Sequence, residues 1–264
     1  MTGFANRIKD RARMLHPARV LHPARMLHPA WYHGHDKRPP FFEGWYFKLV
    51  DASSERRYAI IPGLFKSDDP AQRHAFVQVL NGVTGKAVYH RYPAESFRAA
   101  HDRFEVTIGA SRFSQGSISL QLAGPEQTLY GEVQFGRLTP WPVTLASPGI
   151  MGPFGWLSNL ETYHGVLSLD HGLRGTFVVD GQVVDWDGGR GYIEKDWGAS
   201  FPAAWIWMQS NHFDYPETSF TASVAIIPWN GFSFRGQVVG LWHGGRLYRF
   251  ATYTGARIER LALD

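Results

Sequence analysis

Two carboxylates stand two residues apart in the segment Gly188-Gly-Arg-Gly-Tyr-Ile-Glu-Lys-Asp-Trp-Gly198. In a strand, alternation puts Arg190, Tyr192, Glu194 and Asp196 on one face and Ile193, Lys195 and Trp197 on the other. Turned inward and held close, Glu194 and Asp196 raise one another's pKa, which keeps a carboxylic acid able to donate a proton near neutral pH. Turned outward, the same face is a charged surface neutralised by Arg190. In Phe41-Phe-Glu-Gly-Trp-Tyr-Phe-Lys48, Glu43 shares a face with Phe41, Trp45 and Phe47, while Tyr46 and Lys48 share the other. An ionised carboxylate among three aromatics is costly to bury. Glu43 is therefore protonated, paired with a cation or at a wet edge, and a salt bridge to an Arg or Lys of a neighbouring strand is the favoured structural reading.

Two further segments carry polar groups beside aromatics. Ser200–Phe213 places Trp205, Trp207, Gln209 and Asn211 on one strand face. Two indoles followed by two amides suit a pocket with an apolar floor and a polar mouth, or equally a core strand whose amides pair with loop backbone. In Glu161-Thr-Tyr-His-Gly165, His164 is a base, a partner of Glu161 or a satisfied structural histidine. The chain has no Gly-x-Ser-x-Gly elbow, phosphate loop, His-Glu-x-x-His or dinucleotide fingerprint. It also has no cysteine, which removes thiolate chemistry and Cys-based zinc sites.

The elements that must position these groups read as strands. Phe41–Val50, Tyr58–Phe65, His74–Leu80, Phe104–Ile108, Ser117–Leu122 and Thr128–Phe135 are short apolar runs separated by Gly, Pro, Asp or Ser clusters. A Pro- and Gly-rich loop, Thr139–Gly155, interrupts them. A second series then runs through Tyr163–Leu169, Gly175–Val179, Gly191–Asp196, Ala204–Asn211, Ser219–Ile227, Ser233–Trp242 and Arg246–Thr254. The expectation is an all-β chain of two antiparallel barrel or sandwich units, 31–150 and 151–264, behind a mobile N-terminal arm, 1–30. Aromatics at 15% of the 264 residues, with 10 Trp, agree with a β-rich fold and an apolar ligand pocket.

The arm contains a repeat: Arg13-Met-Leu-His-Pro-Ala18 recurs from Arg19 and again from Arg25. A Pro in every copy prevents one continuous helix, and His16, His22 and His28 read better as a duplicated coding unit than as a metal tract. The net charge of +4 comes from Arg7, Lys9, Arg11, Arg13, Arg19 and Arg25. The body is near neutral, and nucleic-acid binding is not expected. Neither a signal peptide nor an apolar run long enough to cross a bilayer is visible, so a cytoplasmic protein is expected.

Together, the segments 41–48, 161–165, 189–198 and 205–213 resemble the signature blocks of the tocopherol cyclase family, in the same order. The resemblance implies a lipocalin-like fold and cofactor-free closure of a prenylated quinol to a chromanol. In that reaction an acid protonates the alkene, a tertiary cation develops and the phenol oxygen closes on it. On residue chemistry, Asp196 or Glu194 is expected as proton donor, with no metal. Trp205, Trp207 and Trp197 are expected as the cation-facing wall, worth roughly 0.5–2 kcal/mol each. Tyr46, Gln209, Asn211 and His164 are expected to orient the hydroxyls, and Glu43, Trp45, Glu161 and Tyr192 to line the same site. The partner is then an apolar prenylated small molecule, collected through peripheral membrane contact. A lipocalin-like carrier of an apolar isoprenoid or lipid is the alternative, and it predicts a pocket free of carboxylates. The resemblance also implies further strands beyond Leu247–Tyr253, so an open edge is expected in the second unit.

Overall fold

The computed structural model describes residues 23–158, 160–229 and 232–262. Among the described residues eighteen strands form three sheets. The first series is β1 (Phe41–Val50), β2 (Arg57–Lys66), β3 (His74–Asn81), β4 (Ala87–Pro93), β5 (Phe97–Ala99), β6 (Glu105–Ile108), β7 (Ser111–Ser114), β8 (Ser117–Ala123) and β9 (Thr128–Phe135). A minimal ladder of β10 (Val143–Thr144) and β11 (Ser147–Pro148) follows. Next come β12 (Thr162–Val179), β13 (Gln182–Asp185) and β14 (Arg190–Gly198). The chain then runs through β15 (Ala204–Ser210), β16 (Ser219–Trp229), β17 (Phe232–His243) and β18 (Arg246–Ala251).

The large sheet has the order β4-β3-β2-β1-β14-β12-β9-β8-β7-β6-β5, with β13 added beside β12. Its path is open, running from β4 to β5. The small sheet is the meander β15-β16-β17-β18. The sheets therefore divide between Gly198 and Ala204, not at the expected 150/151, because β12 and β14 insert between β1 and β9. Edges β15 and β18 of the small sheet have no further strand among the described residues.

β12 makes this arrangement. Its first half pairs with β14 (His164 opposite Asp196) and its second with β9 (Phe177 opposite Gly131), with register shifts between Val166 and His171. Bulges of this kind bend a strand and increase its twist. The sheet consequently folds over one core: Trp45 of β1 stacks on Phe104 at 5.2 Å, and Phe47 meets Phe113 of β7 at 6.1 Å.

β1 and β14 are covered on both faces, which accounts for their dense aromatic runs. One face joins the main core through Trp45, Phe47, Ile193 and Trp197. The other meets the small sheet and the 139–155 loop around Tyr46, Tyr192, Trp141 and Ile150. Gly240 of β17 permits that approach, since a Cβ there would lie 2.3 Å from the Trp141 ring.

The expected arm needs revision where it is described. Residues 1–22, with His16 and His22, lie outside the described residues. From the helical turn Pro23–Met26 onward the chain packs inward: Met26, Ala30, Tyr32 and His33 are buried and His28 stacks on Trp31 at 4.0 Å. This segment seals a charge inside the core. Lys195 is fully buried, and its ammonium donates to Glu43 Oε1 (2.8 Å), to His33 Nδ1 (2.8 Å) and to the Trp31 carbonyl. All three of its N–H groups are thus satisfied. The His33 backbone N–H donates to both oxygens of Glu43, at 3.0 and 2.9 Å. Burial pushes the Glu43 carboxyl up, yet Lys195 and His33 pull harder and hold it below the usual carboxylate range. Burial, reinforced by Lys195, lowers the His33 imidazole to about 4. It is neutral, donating through Nε2 to the Arg25 carbonyl (3.1 Å) and accepting from Lys195.

Removing one partner leaves the other charge buried alone. Lys195→Met is expected to lower the unfolding free energy by about 3–5 kcal/mol, and Glu43→Gln with Lys195→Met should recover part of that loss. Urea denaturation of both variants checks this, and a single variant within about 1 kcal/mol of wild type contradicts the ionised pair.

Candidate active site

The opposite face of the same strands lines a cavity. Cross-strand pairing sets Tyr46 opposite Glu194 and His164 opposite Asp196, and alternation turns all four away from the Lys195 core. The cavity measures ≈ 290 Å³. Tyr46, His164, Glu194 and Asp196 form its floor. The small sheet contributes Trp205, Trp207, Ala225, Ile227 and Val238, and the loop and C-terminal segment add Ile150, Met151, Phe154 and Tyr253. Phe201 and Trp205, stacked at 5.5 Å, stand exposed at its rim.

Glu194 is buried under this floor. Its Oε2 accepts from Tyr192 Oη at 2.6 Å and from Trp207 Nε1 at 3.1 Å. Its Oε1 has no hydrogen-bond partner among the described residues. Burial drives the carboxyl up to about 7. His164 and the two donors favour the ionised form, and Asp196 opposes it. Desolvation wins because two hydrogen bonds on one oxygen do not replace full hydration. Burial lowers the His164 imidazole, but Asp196 and Glu194 more than offset it and raise the pKa to about 9. His164 is therefore an imidazolium whose Nδ1 donates to Asp196 Oδ1 at 2.8 Å. Its Nε2 is buried without a hydrogen bond, 3.6 Å from Glu194 Oε2. Burial and Glu194 raise the Tyr192 phenol far above its usual range, so it stays a donor.

One ligand atom each from His164, Glu194 and Asp196 lies within 4.8 Å of the others, a spacing that also fits a divalent cation. The hydrogen bond from His164 Nδ1 to Asp196 competes with that use.

Several expected site residues go elsewhere. Glu43, Trp45 and Trp197 sit on the core face, where the Lys195 ammonium lies 5.1 Å from the Trp45 ring and 4.7 Å from the Trp197 ring. Trp197 therefore faces a resident cation and not the cavity. Asn211 is structural, donating to Asp170 Oδ1 (2.9 Å) and the Gly191 carbonyl (3.0 Å). Both amide atoms of Gln209 are buried with no hydrogen-bond partner among the described residues. Glu161 lines the cavity and accepts from Ser200 Oγ at 3.0 Å, and the carboxylate partner of His164 Nδ1 is Asp196. Arg190 pairs with Asp170 at 2.9 and 2.7 Å and leaves the acidic pair alone. Trp207 contributes its N–H in addition to its ring. Sequence reasoning missed Ile150, Met151, Phe154 and Tyr253; the one signal was the apolar residues carried by a Pro- and Gly-rich loop.

Fold and site define a β protein with an acid-bearing apolar cavity. Residues 148–259 match the family model described as tocopherol cyclase-like. A protein of Oryza sativa subsp. japonica named "Probable tocopherol cyclase, chloroplastic" is 29% identical over 112 residues, 38% of this chain and 23% of that protein. The chloroplast tocopherol cyclase of Zea mays is 29% identical over 108 residues, with the same shares. The chain thus spans about a quarter of the length of these curated relatives. Among solved structures, an AttH candidate from Nitrosomonas europaea superposes with TM-score 0.53 at 15% identity, covering 80% of this chain and 68% of that one. CghA superposes with TM-score 0.52 at 11% identity, covering 80% and 60%. At these identities the likeness is one of fold.

A carboxyl whose folded pKa exceeds its unfolded value stabilises the protein at low pH, and that contribution is lost as pH rises through the folded value. For Glu194 the window runs from about 4.5 to about 7. Glu194→Gln is expected to flatten the fall in stability across that window relative to wild type. Melting temperatures at pH 4.5, 6 and 7.5 test it; parallel profiles for the two proteins contradict the raised pKa.

Proposed function

We propose that this chain is an acid catalyst of intramolecular cyclisation, acting on an apolar, prenyl-bearing phenol or quinol. The observation that carries the reading is the buried Glu194 carboxyl with its pKa near neutrality at the floor of an apolar cavity. In the proposed step Glu194 Oε1 gives its proton to the less substituted alkene carbon, and a tertiary cation forms at the other. A phenol oxygen lone pair closes on that cation. The phenol proton leaves for the Glu194 carboxylate, so substrate and product are isomers and the enzyme returns to its starting state.

Each neighbour has a part. Tyr192 and Trp207 hold the Oε2 side of Glu194 and leave Oε1 to react. The His164–Asp196 pair keeps a fixed charge beside the acid and orients the hydroxyls together with Tyr46. The ring faces of Trp205 and Trp207 meet the developing cation. Excluding water suppresses hydration, and folding the substrate exploits proximity. Exposed Phe201 and Trp205 at the rim suit collection of an apolar ligand from a lipid surface. The carrier reading has less support, because it expects no carboxylate in the pocket and Glu194 and Asp196 line this one.

Incubation with a prenylated hydroquinone and chromatography for a product of unchanged mass test the proposal. Turnover should fall as pH rises through about 7, and Glu194→Gln should lower it by about 10²–10⁴-fold while ligand binding persists. A chelator should leave turnover unchanged. Full activity in Glu194→Gln defeats the assignment, and a product heavier by one water would assign hydration instead.

A further inference from the structure

A second cavity, ≈ 320 Å³, lies beyond Tyr46, which lines both. Its polar wall is Lys48, Arg57, His212, Ser54 and Ser210. We propose that this chamber is an oxyanion subsite, built for a carboxylate or phosphate group on a small ligand.

The charges do not balance without one. Lys48 is half-buried on β1, yet its ammonium makes no hydrogen bond or ion pair with any described residue. Arg57 uses only its Nε, donating to the Ser54 carbonyl at 2.9 Å. The acids nearby are already committed. Asp170 takes both forks of Arg190 and the Asn211 amide. Asp51 is turned into its own loop, accepting from Ser53 Oγ at 2.5 Å and the Arg56 N–H at 2.8 Å. Burial lowers Lys48 to about 8, and Arg190 and Arg57 add to the fall against Asp170. Burial, then Lys48 and Arg190, hold the His212 imidazole below its ordinary value. Each of these groups gains from an arriving negative charge, and Arg57 offers free N–H groups for bidentate contact. Val50, Tyr58, Ala59 and Leu80 supply an apolar wall, which suits an oxyanion carried on an organic body. The subsite stands whether or not Glu194 does chemistry. Occupancy would reach the acid cavity through Tyr46, whose ring meets Trp207 edge-on at 5.4 Å.

Titrating the full chain with phenyl phosphate, benzoate, inorganic phosphate and chloride at constant ionic strength, read by His212 ring resonances, tests the proposal. Saturable binding of the organic anions, with an upward move of the His212 titration, is expected. Lys48→Met and Arg57→Met should each weaken it tenfold or more, and Arg91→Met, an exposed control on β4, should not. Inorganic phosphate binding as tightly as phenyl phosphate supports the subsite and assigns it to the free ion. Shifts equal for all anions including chloride overturn it, as does saturable binding unchanged in both variants.

Discussion

Desolvation of a single strand, β14, sets two opposite outcomes one residue apart. Lys195 enters the core as an ion because three acceptors meet its three N–H groups and a carboxylate neutralises it. Glu194, on the other face, receives two donors on one oxygen and none on the second, so burial outweighs compensation and the proton is retained toward neutral pH. The protein thus holds an ionised pair where nothing should react and a carboxylic acid where a ligand can enter. Both depend on the same pleat, and a one-residue slip in the pairing of β1 with β14 would exchange them.

That dependence explains the architecture around the pair. β12 bends through its bulges so that its first half can place His164 beside Asp196 while its second half closes the core against β9. The segment from Met26 to His33 caps the Lys195 side, supplying the Trp31 carbonyl and the His33 imidazole and backbone N–H. The small sheet covers the Glu194 side with the Trp207 indole N–H. The first cover satisfies all three N–H groups of Lys195 while the second leaves Glu194 Oε1 without a donor among the described residues, and that difference keeps one face ionised and the other acidic.

Much of this was legible in the residues. Period-two alternation in 41–48 and 190–197 assigned side chains to the correct faces, and the salt bridge favoured for Glu43 is present with Lys195. The strands that were read lie nearly in place because their apolar runs are bounded by Gly, Pro and Asp, whereas β4, β5, β7 and β13 went unread and β12 was read as two strands. What alternation cannot give is which face looks at which neighbour. Trp45 and Trp197 are as aromatic as Trp205 and Trp207, yet only tertiary packing sends the first two to the core. The expected boundary at 150/151 rested on the Pro- and Gly-rich loop. Strand pairing between β12, β14 and β1 is long-range, and no local signal announces it. Asn211 looked like a pocket amide and is consumed by Asp170 and the Gly191 carbonyl.

The proposed acid catalysis requires that Glu194 carry a proton near neutrality in the folded protein. The most direct measurement is the pH titration of the Glu194 side-chain carboxyl by carbon-13 NMR, assigned by its loss in Glu194→Gln. An apparent pKa near 7 is predicted; a value in the ordinary carboxylate range, below about 5, would contradict it.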